Sequence, residues 1–384
     1  MKRSTERILT THVGSMPRPQ YVVDQLFAQD KNAANYDPAA FDETMTRAVR
    51  EVAEKQVAAG VDIISDGEMS KISYATYVRH RFTGFEIATE PPPRATPKDL
   101  DEYPAYRDRI AGEGGTPKYH RPVVRGEIKI KDMSSLEKDI ANLKAAAEAT
   151  GAGEAFMNAA SPGVIAVFQP NEFYKTDEEY LWALAEVMKV EYEMITQAGI
   201  ILQIDAPDLA MGRHIRFRDE SDDDFVGHAE RQVEALNYAL QNVPAEQVRM
   251  HLCWGNYEGP HTHDVPLETI IGTVLKAKPQ AIQFEGANPR HQHEWQVWTT
   301  ADIPDDKILI PGLLDTTTNF VEHPRLVAER IERFASKVGP ERVIAGTDCG
   351  FGTFAGFGKV HPDIAYAKLE SLAEGARLAS ENLY

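Results

Sequence analysis

Three short apolar runs in this chain end on residues that bind metals. Arg249-Met250-His251-Leu252-Cys253-Trp254-Gly255 carries a histidine and a cysteine two apart, which a β-strand would project to one face. Ala281-Ile282-Gln283-Phe284-Glu285-Gly286 ends on a carboxylate, and Val343-Ile344-Ala345-Gly346-Thr347-Asp348-Cys349-Gly350 ends on the second of the chain's two cysteines. One nitrogen, two sulfurs and one oxygen form a donor set that zinc accepts in tetrahedral geometry. The chemistry would be that of a thiol. A free thiol, with a pKa of about 8.5, is mostly protonated at neutral pH, whereas coordination removes the proton and leaves a nucleophile. The alternative is that Cys253 and Cys349 are small buried hydrophobes, the commonest state of cysteine. Spacing alone leaves both readings open, because no Cys-x-x-Cys pair is present.

Positioning these groups requires a frame of strands. Strand-like segments are expected at 8–13, 61–65, 155–160, 200–205, 248–253, 281–285, 308–314 and 343–348. Amphipathic helical stretches alternate with them, at 41–59, 134–149, 177–198, 230–241, 266–277, 324–337 and 362–378. Asp37-Pro38 supplies an N-cap and a first-turn proline, while Gly60 and Gly199 supply left-handed helix ends. An open doubly wound sheet fits this alternation. A (β/α)8 barrel also accounts for the polar residues at every strand end, from His12 and Ser15 through Asp66, Asn158 and Asp315 to Asp348, and is the expectation. Residues 70–130, with Pro91-Pro92-Pro93 and Gly114-Gly115, interrupt the rhythm as an extended insertion between the second and third strands. They read either as a surface excursion or as a lid over the barrel mouth, within one catalytic barrel spanning 1–384.

Composition excludes several classes. A net charge of −18 disfavours a nucleic-acid surface. No apolar run approaches the roughly 20 residues of a membrane span, and Met1-Lys2-Arg3-Ser4-Thr5-Glu6-Arg7 leads into a strand rather than a signal sequence. Two cysteines point to a reducing cytoplasm. His261 and His263 would make a second metal patch or simply a polar loop, as would His291 and His293; a polar loop is the expectation adopted for both pairs.

Taken together, these motifs resemble the catalytic C-terminal half of cobalamin-independent methionine synthase, a zinc enzyme of barrel fold, over nearly the whole chain. A short, single-barrel member is implied. The resemblance assigns zinc to His251, Cys253, Glu285 and Cys349. It matches the turn that binds the substrate carboxylate with Val13-Gly14-Ser15, and the amine-binding acids with Glu68 and with Asp205 of Gln203-Ile204-Asp205-Ala206-Pro207. The chain departs from the family where a pterin-stacking tryptophan is expected, with Phe168 the nearest aromatic, and at the strand-end acid, whose position falls at Thr317. The implied reaction is methyl transfer to homocysteine, with methyltetrahydrofolate or a methylated corrinoid protein as donor. The alternative is alkyl transfer from an epoxide to coenzyme M, with Arg18, Lys71 or Arg213 meeting the sulfonate.

Overall fold

The computed structural model describes residues 1–34, 36–87, 96–112 and 120–384. In chain order its strands are β1 (Leu9–Thr10), β2 (Ile63–Ser65), β3 (Phe85–Ile87), β4 (Pro122–Val124), β5 (Glu154–Ala160), β6 (Ile201–Asp205), β7 (Val248–Leu252), β8 (Ala281–Phe284), β9 (Ile308–Pro311) and β10 (Ile344–Ala345). Strands β2, β5, β6, β7, β8 and β9 form one parallel sheet in that order, and β1 pairs in parallel with β10. Two seams complete the ring. Parallel bridges Leu309–Val343 and Gly312–Gly346 join β9 to β10, and the Asp62 N–H donates to the Thr10 carbonyl between β1 and β2. This is the expected (β/α)8 barrel, with all eight expected strands present, seven of them trimmed and the one at Glu154–Ala160 a residue longer.

The helices follow from local chemistry. Pro38–Ala58 starts where the Asp37 side chain accepts the Ala39 N–H, and Gly60 and Gly199 take the left-handed conformation at φ 83° and 80°. The helix expected from 230 begins at Asp222, because Ser221 and Asp224 form a reciprocal capping box there. The insertion is less irregular than its composition suggests: β3 and β4 pair antiparallel, and short helices run over Asp99–Glu102 and Pro104–Gly112. The Pro91–Pro93 and Gly114–Gly115 signals lie outside the described residues. Among the described residues, no helix is long and apolar enough to cross a membrane.

Period-two alternation divides each strand between two environments. On β7, Val248, Met250 and Leu252 join the large apolar cluster under the helices, so Arg249 and His251 face the barrel axis. At the strand starts, Ile63, Ile201, Ala281, Ile308 and Ile344 plug the barrel in a smaller apolar cluster with Phe156. Above that plug the axis is polar. The buried Arg249 guanidinium donates to Gln203 Oε1 at 2.7 Å, Thr11 Oγ1 at 2.9 Å and Gln283 Oε1 at 2.6 Å, with its flat face 3.9 Å from the Phe156 ring centre. A charge this deep is tolerable only because its donors are satisfied.

Candidate functional site

Past Leu252 the chain leaves the sheet without changing face, so Cys253 follows His251 toward the barrel mouth, and Cys349 arrives from the loop after β10. The ligand atoms of His251, Cys253 and Cys349 all lie within 4.8 Å of one another, and all three residues are buried. Glu285, just after β8, stands at the edge of this group with Oε1 3.8 Å from Cys349 Sγ. Its carboxylate is held by the Trp254 N–H at 2.8 Å and the Asn288 side-chain amide at 2.6 Å. Asp348 fixes that arrangement by accepting the backbone N–H groups of Gly286, Ala287 and Asn288 at 2.8, 2.8 and 2.9 Å. The loop of one candidate ligand is thereby tied to the residue beside another. Sequence reading placed Asp348 at a strand end and missed this role, because its three partners are some sixty residues away.

The donor chemistry suits a borderline-soft divalent cation. His251 Nδ1 is buried with no hydrogen-bond partner. Desolvation and the nearby Arg249 charge lower the pKa of His251 to about 3, leaving a neutral ring with a free lone pair. The Cys349 thiol is pushed well above its ordinary value by its interaction with Cys253 and by burial, and burial also raises Glu285. The Cys349 and Glu285 shifts report groups whose anions burial disfavours and a bound cation would favour.

Val13, Ser15, Glu68 and Asp205 line the same cavity as His251, Cys253 and Cys349, a space of about 690 Å³. Gly14 braces it from behind: its φ is 136°, and a Cβ there would lie 2.1 Å from Asn158 Oδ1. Glu68 itself is left-handed at φ 55°, following Gly67 at 65°, in a turn where Asp66 Oδ1 accepts the Glu68 N–H at 2.9 Å. Its Oε2 is buried without a hydrogen-bond partner, 3.7 Å from Arg18 Nη2. Asp205 receives the Asn158 and Gln203 amides at 2.9 and 2.8 Å. Burial raises the pKa of both carboxyls, and a bound ammonium would draw them down again.

The wall above these polar groups is aromatic and apolar, with Tyr74, Phe168, Met211, Tyr257, Phe354 and Phe357 prominent. Phe168 meets Tyr74 edge-on at 6.4 Å. Thr96, Pro97, Leu100, Arg107 and Ile110 complete part of it, so this stretch of 70–130 borders the cavity. Thr317 does not line this space, and its N–H and hydroxyl both engage Asp315 Oδ1 at 2.8 Å. Arg18, Lys71 and Arg213 are likewise absent from the lining. Lys71 is buried on the Asn158 carbonyl at 3.0 Å, and Arg213 pairs with Asp222 at 2.7 Å. The histidine pairs divide differently from their spacing. His263 meets Glu102, whereas His261 and His291 converge on Asp264. The His291 contact spans 27 residues and the His263 contact 161, so no local periodicity announces either.

Residues 113–361 match the family model described as the catalytic domain of cobalamin-independent synthase. The methionine synthase of Saccharolobus solfataricus is 25% identical over 380 residues, covering 97% of this chain and 95% of that protein. The methionine synthase of Sulfolobus acidocaldarius is 23% identical, with 97% and 93% covered. Among solved structures, a B12-independent methionine synthase from Shewanella sp. W3-18-1 in complex with selenomethionine superposes with a TM-score of 0.71 at 17% identity, over 98% of this chain and 99% of that one. A putative vitamin-B12-independent methionine synthase from Listeria monocytogenes gives 0.64 at 19% identity, over 97% and 98%. The fold is thus shared end to end, and the chain belongs to the cobalamin-independent synthase catalytic-domain family.

Proposed function

We propose that this protein is a zinc-dependent methyltransferase that passes a methyl group to the sulfur of homocysteine, forming methionine. The observation that carries the reading is one cavity bordered at its floor by His251, Cys253 and Cys349 and, beside them, by two buried carboxyls and Ser15. His251, Cys253 and Cys349 would hold the metal, with Glu285 as the fourth ligand. A bound zinc ion lowers the pKa of a thiol enough to present it as a thiolate at neutral pH.

The chain's own residues supply the rest. Glu68 and Asp205 offer acceptors to the substrate ammonium, and the Val13-Gly14-Ser15 turn offers N–H and hydroxyl donors to its carboxylate. With both ends of the amino acid fixed, the sulfur is confined near the metal-binding group and a donor carbon can be held in line with it. The apolar wall excludes water from that approach and gives a methyl donor with a flat ring system aromatic faces to pack on. Both cysteines are free, consistent with a reducing cytoplasm. The family's cobalamin-independent chemistry lends no support to a corrinoid partner. A coenzyme M thiol fares poorly as well, because Arg18, Lys71 and Arg213 do not line the cavity and Arg107 and Lys359 already face Asp101 and Glu258.

The test is methionine production from homocysteine and methyltetrahydrofolate by zinc-loaded protein, followed by mass spectrometry. Turnover is expected and should be abolished by a chelator and restored by zinc. Tight binding of coenzyme M with none of homocysteine would overturn the assignment of the thiol.

A further inference from the structure

Behind the wall that carries Cys253 lies a second cluster of ligating side chains. His261 Nδ1 and His291 Nε2 each lie 2.9 Å from the same oxygen, Asp264 Oδ2. Ligand atoms of all three residues fall within 4.8 Å of one another. We infer that His261, Asp264 and His291 form a binding site for a second divalent transition metal of the zinc type, separate from the thiol site.

The outer nitrogens make the argument. His261 Nε2 lies 3.0 Å from the Tyr257 carbonyl, and His291 Nδ1 lies 2.8 Å from Glu294 Oε2. Glu294 is itself anchored, its other oxygen accepting the Leu267 N–H at 2.8 Å. A carbonyl and a carboxylate can only accept, so each imidazole donates outward and keeps its inner nitrogen for Asp264. A neutral imidazole would then aim a lone pair at a carboxylate lone pair, which repels. The contact requires either a second proton on each ring or a cation between ring and carboxylate. An imidazole whose far nitrogen donates to a carboxylate or backbone carbonyl is the arrangement that orients metal-bound histidines.

A separate observation points the same way. His214, 1% exposed, brings a third imidazole to the carboxylate, with Nδ1 3.0 Å from Asp264 Oδ1 and Nε2 buried without a hydrogen-bond partner. A buried imidazole nitrogen without a partner costs free energy unless something else uses its lone pair. His261 itself is left-handed at φ 53°, a conformation that L side chains rarely adopt. Two imidazoles and one carboxylate suit zinc and its transition-metal neighbours better than calcium or magnesium, which prefer all-oxygen shells.

Occupancy would stiffen the thiol site from behind. The His291 ring stacks on Trp254 at 4.1 Å between centres, and the Trp254 N–H is the one that holds Glu285. A second ion would therefore cross-link the loop after β7 to the segment after β8.

Counting metal decides the matter. Protein stripped with a chelator and reloaded with Zn²⁺ alone is expected to retain two equivalents by elemental analysis and native mass spectrometry. Cobalt(II) reloading then separates the sites, since only thiolate ligation gives intense sulfur-to-metal absorption in the near ultraviolet. Cys349→Ser should keep one equivalent without that band, and Asp264→Asn or His291→Gln should keep one equivalent with it. A wild-type protein that binds one equivalent, lost in Cys349→Ser, would overturn the second site and leave the two rings as imidazolium ions. One equivalent that survives Cys349→Ser but not Asp264→Asn would support it while overturning the thiol site. The wild-type count stands even if a variant fails to fold.

Discussion

Half of the cavity floor is set at strand ends, where Asp205 closes β6, His251 lies within β7 and Cys253 directly follows it, and the rest, Ser15, Glu68 and Cys349, by the loops directly after β1, β2 and β10. The wall has no such frame. Leu100 and Ile110 come from short helices of the insertion, Tyr257 from the loop after β7, and Phe354 and Phe357 from the loop after β10. Floor groups are polar and held by buried hydrogen bonds such as those of Asn158, Gln203 and Asp348, whereas wall groups are mainly aromatic and apolar, Tyr257 being tied to Asp99 through its hydroxyl at 2.8 Å. On the proposed reading, such a barrel separates the task of activating a sulfur from that of selecting what the sulfur attacks. Floor substitutions should abolish chemistry, and wall substitutions should change preference.

The harshest way to break that division is Cys349→Ser. It should remove the floor metal and cut kcat/KM by about 10³-fold or more, the scale of losing a group that acts with its neighbours as a unit. Elemental analysis beside steady-state kinetics checks it, and a variant retaining both metal and turnover would sink the metal role. Next comes Asp348→Asn, which replaces an acceptor of three backbone N–H groups by an amide and loosens Glu285 against Cys349. Metal affinity should fall about 10–100-fold, as for other groups that orient ligands, with the KM for the methyl donor unmoved. Competition with a chromophoric chelator measures the first quantity and initial rates the second. Glu68→Gln should leave metal content intact and raise the KM for the thiol amino acid about 10–100-fold, corresponding to a charged hydrogen bond of about 1.5–3 kcal/mol. A thiol KM unchanged by this substitution would remove Glu68 from the amine site.

The same division explains what could be read in the sequence. His251 and Cys253 were legible because the period of a strand is two and both lie at one strand's end, so one rule fixed their common face. The eight barrel strands were legible as apolar runs, although in five of them the pairing ends sooner than the run does. The wall was illegible because nothing periodic places Leu100 near Phe357. The insertion's hairpin hid between proline- and glycine-rich stretches that signal only a loop. The early start of the helix at Asp222 was readable in hindsight from Ser221-Asp222-Asp223-Asp224, where a serine and an acid three apart cap each other. Asp264 was invisible as a hub because, although His261 lies only three residues before it, its partners His214 and His291 arrive from separate segments.

On the wall, Phe168→Ala is the sharper probe. It removes the edge contact with Tyr74 and one aromatic face of the cavity. The donor KM should rise about 2–10-fold, matching an aromatic contact of about 0.5–1.5 kcal/mol, while metal content and thiol KM stay put. If the thiol KM rises instead, floor and wall are coupled and the separation of tasks fails.

The smallest effect belongs to the far end of the barrel, where the seam between β1 and β2 is clamped by Asp62. Its carboxylate takes Arg7 Nη2 at 2.5 Å and the Thr10 N–H at 2.9 Å. Burial alone would raise the Asp62 pKa, but the bonds from Arg7 and Thr10 outweigh it and hold the carboxyl below its ordinary value. A lowered folded pKa means that the stabilisation is complete above the unfolded value of about 3.9 and is lost as pH falls through the folded one. Arg7 is more than half exposed, so solvent screens the pair, and Asp62→Asn should cost only about 0.5–1 kcal/mol at neutral pH. Denaturant unfolding at pH 7 and again below pH 4 should show the gap between variant and parent narrowing in acid, with kcat unchanged at pH 7. A loss of turnover from this position, at the opposite end from every strand end that borders the cavity, would mean that closure of the ring itself sets the geometry of the floor.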